Sequence, residues 1–158
     1  MKRSVLGALV ALTFAVGMIV VTTTSTAGAD ANRLNLTNLR HATARFHSLE
    51  NTMESGRVDL HLCVDHMGQH WADPGTFSDG ILDPLNPEAM VYTQNAQGHL
   101  QLVAVEWVSD TPGMVMNIPL HFNPAVNLWV LHAWLYSQNS NGMFADMNPR
   151  IGVCPPPA

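Results

Sequence analysis

Apolar positions recur at intervals of three and four between residues 36 and 55. Leu36, Leu39, Thr43, Phe46, Leu49 or Glu50, and Met53 fall on one stripe, and Arg40, Arg45, His47 and Glu54 fall mostly on the other faces. The spacing predicts an amphipathic helix over 36–55 that packs its stripe against another layer. Asn35 or Thr37 can cap its start, and Gly56 stands where a left-handed C-terminal residue belongs. Residues 30–35 read as a disordered lead-in. Further on the period changes to two. Residues 89–93 (AMVYT) and 100–108 (LQLVAVEWV) flank the turn sequence Asn95-Ala96-Gln97-Gly98, which predicts a β-hairpin. Residues 127–136 (NLWVLHAWLY) are apolar on both faces, as suits a central strand. Residues 58–71 read as strand or extended chain with a bend at Gly68. Long stretches rich in Pro, Gly, Asn and Asp, at 72–88, 109–126 and 137–150, read as loops. The expected class is α+β: an N-terminal amphipathic helix packed on a mostly antiparallel sheet with long loops.

The N-terminus changes the domain count. Lys2 and Arg3 precede an apolar run over 5–21, and Ala27-Gly28-Ala29 is an A-x-A site. Residues 1–29 are therefore expected to be a removable signal peptide and residues 30–158 a single exported domain. An apolar run of this length also raises a membrane anchor as the rival reading. After cleavage the chain would carry five arginines, no lysine and 12 acidic residues, a net of −7 with His neutral. An acidic domain with no basic stripe is a poor partner for nucleic acid or an anionic membrane surface. The missing lysine removes Schiff-base chemistry and a lysine phosphate clamp.

Cys63 and Cys154 are the two cysteines. In an exported chain they are expected to pair. The alternative is a catalytic thiol with a histidine beside it. A bridge would close a loop of about 90 residues, worth about 4–5 kcal/mol in the chain-entropy model, and would hold the proline-rich tail.

The eight histidines are the main chemical signal. His41, His47 and His99 fit solvated faces. His66 and His70 are four apart, a spacing that puts both on one face of a helix or a strand. Glu106 sits in VAVEWV and His132 in VLHAWL, two apolar strand sequences. A carboxylate in such a strand is costly to bury without a cation, and alternation assigns it to the face of Leu102, Ala104 and Val108. Three readings stand side by side. One is a structural Glu–His or Glu–Arg pair. Another is a metal site of His70, Glu106 and His132, with His66 or His121 as additional ligands, suited to Zn, Cu or Fe. The third is a metal-free acid/base pair. Asp73, Asp79 and Asp83 border a loop able to hold calcium, although their spacing is not that of an EF-hand. G-x-S-x-G, P-loop and G-x-G-x-x-G patterns do not occur.

The segments CVDHMGQHW, LDPLNPEAMVY, LQLVAVEWV, LHAWLY and NGMFADMNPRIGVC together resemble the motif string of a family of small exported bacterial proteins of unassigned activity. That string runs Cys-Val-x-x-Met-Gly-x-His-aromatic, Asp-Pro-x-x-Pro-Glu, Val-Glu-aromatic, Leu-His-x-Trp, then Gly-Met-Phe-Ala-x-x-Asn-Pro and a terminal Cys. The resemblance covers most of the chain from the helix onward. It implies importance for Cys63, Cys154, Met67, Gly68, His70, Glu106, His132, Trp134 and the 142–149 loop. His61 and His66 lie outside the string, and Met147 replaces the more usual tryptophan. Taken together, the expected function is an exported domain that binds a transition metal or small ligand through its His/Glu cluster. The alternatives are a small exported metalloenzyme using the same cluster, and a structural envelope or extracellular module with no ligand.

Overall fold

A computed structural model of the protein describes the backbone of residues 26–155, and side chains from Asn35 onward. Most of the expected signal segment, 1–25, lies outside the described residues. Helix α1 runs Thr26–Thr43, so residues 30–35 are helical rather than a disordered lead-in. The alanines at 27, 29 and 31 favour that state. The helix does not continue unbroken to Ser55. A 3-10 turn over Ala44–His47 follows, and α2 begins anew at Leu49–Glu54. The break falls at Ser48, whose backbone is extended and whose hydroxyl accepts from the Asn51 N–H. A serine that can cap competes with helix continuation. The apolar stripe is otherwise as spaced. Leu39, Thr43 and Phe46 are buried and Leu36 and Leu49 half-buried, but Met53 is exposed beyond the break.

The strands are β1 (Val58–Val64), β2 (Gly68–Ala72), β3 (Ala89–Gln94), β4 (Leu100–Ser109), β5 (Met114–Val115), β6 (Ile118–Pro119), β7 (His121–Asn123) and β8 (Leu128–Ala133). Six of them form one antiparallel sheet in the order β1-β2-β3-β4-β8-β7, and β5 and β6 form a separate ribbon. The β3–β4 hairpin closes at Asn95–His99 as the turn residues predict. β8 lies inside the sheet between β4 and β7, as its two apolar faces require. The 109–126 stretch is not a plain loop, since it holds β5, β6 and β7. Met116 and Asn117 both have positive φ in the two-residue turn between β5 and β6. That turn type normally advertises itself with Gly or Asn-Gly. Here the burial of Val115, with Met116 and Ile118 half-buried on the core, holds a methionine in the strained conformation.

The sheet has two differently furnished faces. On one, Met90, Tyr92, Leu102, Val105, Trp107, Leu131 and Ala133 meet Leu39 and Phe46 of the helical segment. The Tyr92 hydroxyl ties the layers by donating to the Phe46 carbonyl and accepting from Thr52. Arg57, buried at 5 % exposure, spends its guanidinium on the carbonyls of Glu88 and Pro87 and on the Asn86 amide oxygen. On the opposite face, Val91, Ala104 and Trp134 pack with Ile151 of the C-terminal segment, and Ala72, Ala89, Val108 and Val130 pack together.

A bulge corrects the expected facing of β4. Tyr92 aligns with Leu102 and Val91 with Ala104, leaving Val103 as an extra residue. One inserted residue reverses the alternation. Leu102 therefore joins the helix-facing core, while Ala104, Glu106 and Val108 share the other face.

Cys63 and Cys154 form a disulfide across 91 residues. It joins β1, an edge strand, to a tail with no ladder of its own. Among the described residues no helix is long and apolar enough to cross a membrane. Replacing both cysteines by serine is expected to lower stability by about 2–5 kcal/mol, read in urea unfolding as a lower midpoint with a steeper slope, because the unlinked unfolded chain exposes more surface. A loss below about 0.5 kcal/mol, the size of a neutral surface change, would show that the bridge does not constrain the unfolded chain.

Candidate metal centre

Glu106 on β4 and His132 on β8 are direct cross-strand partners. Opposed antiparallel side chains on one face stand about 4.5–5.5 Å apart at Cβ, so this register alone brings the two groups together. The other members of the same row, on β3 and β2, are Ala89 and Ala72. Their small side chains leave room beside the carboxylate. His70 lies on β2 in the next row, opposite Val91, and reaches across that room. The result is a buried group of three: His70 at 3 % exposure, Glu106 at 6 % and His132 at 1 %. His70 Nε2 is 3.5 Å from Glu106 Oε2, and His132 Nε2 is 3.4 Å from Glu106 Oε1. One ligand atom from each residue lies within 4.8 Å of the others.

The orientation of each ring has a cause. β1 carries a bulge between Asp59 and Cys63, with His61 at φ +51. Asp59 pins it by accepting from the His61 N–H and from the Gln69 side-chain amide. The bulge turns the Leu62 carbonyl onto His70 Nδ1 at 3.1 Å. A carbonyl only accepts, so Nδ1 carries a proton and Nε2 is the nitrogen aimed at Glu106. This is the arrangement by which an outer acceptor fixes a ligand histidine's tautomer. His132 is held near-parallel to Trp134, centroids 6.3 Å apart. The Trp134 indole N–H donates to the Ala145 carbonyl and its backbone N–H to that of Met143. The fully buried Asn148 secures the same loop, donating its backbone N–H to the His66 carbonyl and its side-chain amide to Ser137 and Gln138. Asp146 is thereby set with Oδ1 3.6 Å from His132 Nδ1.

Both nitrogens of His132 thus face carboxylates, and neither makes a hydrogen bond; Asp146 Oδ1 is likewise buried without one. Gaps of 3.4–3.6 Å are too wide for N–H···O bonds between such groups. The two gaps to Glu106 are close to the spacing of neighbouring ligand atoms around one ion, about 3.3–3.4 Å for a tetrahedron with bonds of about 2.0–2.1 Å. The electrostatics agree. Burial pulls the His132 pKa down, but Glu106 and then Asp146 push it up by more, and the net shift is upward from 6.5. A wholly buried imidazole that nevertheless favours its cation marks a strongly negative field.

The other expected ligands lie elsewhere. His66 is exposed in the β1–β2 turn, with its ring bonded to the Ile151 carbonyl, because its positive φ and the C-terminal tail turn it from the cluster. His121 is exposed on β7 and bonds Asp146 Oδ2 at 2.9 Å, so it touches the centre only through that carboxylate. Asp73, Asp79 and Asp83 each accept from a backbone N–H two residues on, closing local turns. Among the described residues, His70, Glu106 and His132 form the only group of three or more such side chains with metal-ligand spacing. Asp59 and the Leu62 carbonyl escaped the sequence reading, and Asp146 entered it only as part of the 142–149 loop. Asp146 follows the Gly-Met-Phe-Ala stretch, which is the one local signal that could have drawn it in.

A cleft of about 500 Å³ opens onto the centre. His70, Glu106 and Asp146 line it, while Leu60, Leu62, Phe77, Val108, Leu128 and Val130 form apolar walls.

In the metal-free protein, His132 contributes stability fully present below pH 6.5 and lost as pH rises through its raised folded value. Asp146, held below its ordinary 3.8 chiefly by His132, contributes stability present above 3.8 and lost as pH falls through its lowered value. Both contributions are complete between about pH 4 and 6.5. Chelator-treated protein is therefore expected to melt highest in that window, and Asp146→Asn to flatten the maximum. Thermal unfolding across pH checks this; superimposable profiles for the two proteins would separate Asp146 from His132.

No family model matches the chain, and neither a curated protein nor a solved structure matches it.

Proposed function

We propose that this is an exported domain that holds one transition metal ion, of the zinc, copper or iron class, on His70 Nε2, Glu106 and His132 Nε2. The observation that carries the reading is His132. It is a buried imidazole with two unbonded nitrogens, and its Nε2 and that of His70 both approach one carboxylate at ligand–ligand spacing. A purely structural polar pair speaks for something different, namely closed hydrogen bonds, because open ones in a dry interior cost about 1–3 kcal/mol each. Two histidines and one carboxylate suit Zn, Fe(II) or Cu(II). Export is supported by the N-terminal charge, apolar run and A-x-A site, and by the disulfide, which persists in oxidising compartments. The motif resemblance includes the same three side chains and both cysteines.

The second reading, a small exported metalloenzyme, rests on the cleft. With His70 and Glu106 in its lining, an ion there would keep a position open to a guest molecule or an activated water.

Elemental analysis of protein purified through its export route is expected to give one equivalent of metal. His70→Ala, Glu106→Gln and His132→Ala should each lose it, and saturating metal should raise the stability of the native protein by about 3–4 kcal/mol at 100–1,000 times Kd. Metal-free native protein that takes up no zinc, copper or iron, with variants that only melt earlier, would leave the cluster a structural device.

A further inference from the structure

We infer that the cleft above the metal centre receives a small, mainly hydrocarbon molecule that carries a single metal-binding carboxylate at one end. The inference rests on the metal reading and names the guest that the site would take.

The cleft has two chemically distinct parts. Its walls come from Leu60, Leu62, Phe77, Val108, Leu128 and Val130, all without a hydrogen-bonding side chain. Its polar side chains are few, and Glu106, His70, Asp146 and His121 among them belong to the centre or to the carboxylate that touches it. A volume of about 500 Å³ is within the ordinary range for small-molecule sites. One apolar body with one polar end matches this division. A sugar or nucleotide does not, because its many hydroxyls would be buried against leucine and valine without partners.

Charge selects the head group. The cleft lining contains no lysine and no arginine, and its full charges are the carboxylates of Glu106 and Asp146. An anion entering the metal-free site meets two carboxylates and no lysine or arginine to offset them. A divalent ion at the centre reverses this: it offsets the two carboxylates and presents an open position for one oxygen donor. Carboxylate binding is thereby made conditional on the metal, and the hydrocarbon tail supplies the selectivity. The seated tail would bury apolar surface that a two-carbon acid lacks.

Cobalt(II) is the probe, because its visible bands report both loading and any change in its ligands. The cobalt-loaded domain is titrated with octanoate and with acetate, and the same titrations are run on the chelator-treated domain. Octanoate is expected to change the cobalt spectrum and to bind at least about tenfold tighter than acetate. It should show no binding to the metal-free protein. Leu128→Trp, which narrows the cleft without touching a ligand, should keep the cobalt bands and the acetate affinity while losing the preference for octanoate. A cobalt-loaded protein that binds the two acids equally, or octanoate binding that persists without metal, would overturn the guest assignment alone. Failure to load cobalt in the first place would overturn the metal reading and this inference with it. The two failures are told apart by the cobalt bands before any acid is added.

Discussion

The constraint on which the rest depends is a carboxylate placed inside a sheet. Glu106 is flanked on β4 by residues that are all buried, and a charge there needs compensation that apolar neighbours cannot supply. The molecule answers with two imidazoles, one from the adjacent strand and one from two strands away. Each is oriented by groups that have no contact with Glu106. The Asp59-pinned bulge aims the Leu62 carbonyl at His70, and the Trp134–Ala145 hydrogen bond sets Asp146 beside His132. Much of the irregular backbone in this small protein is thus organised around one acidic side chain.

This division of labour explains why the two faces of the sheet differ. The helix-facing side is a mainly apolar core in which the Tyr92 hydroxyl is satisfied between Phe46 and Thr52, while the indole N–H of Trp71 is buried without a partner. The other side keeps open hydrogen-bonding capacity at His132 and Asp146 and opens to a cleft. The disulfide fastens the end of the C-terminal loop to β1, the strand whose bulge holds His70.

Several elements were legible from local pattern. The helix stripe, the β3–β4 hairpin, the interior position of β8 and the pairing of Cys63 with Cys154 each follow from spacing or chemistry confined to short segments. The cluster was legible as well, because a Glu and a His in apolar strands are both expensive to leave unpaired. The pattern failed where distant packing overrode local preference. Ser48 ended a helix that periodicity would have continued. Met116 took a left-handed conformation because Val115 is buried beside it. Val103 dropped out of register and moved Leu102 to the other face.

What the chain determined by itself was a set of demands: where apolar stripes must be covered, which cysteines can pair, and that Glu106 and His132 require partners. Which partners they received was decided by tertiary structure. His70 reaches Glu106 across a row of alanines and His66 does not, although both stand in the same HxxxH spacing. Asp146 sits against His132 and His121 stays outside, joined only through that carboxylate. Convergence of this kind depends on strand order, bulges and loop anchoring over tens of residues. It is a property of distances in space, which a one-dimensional pattern of residue types does not contain.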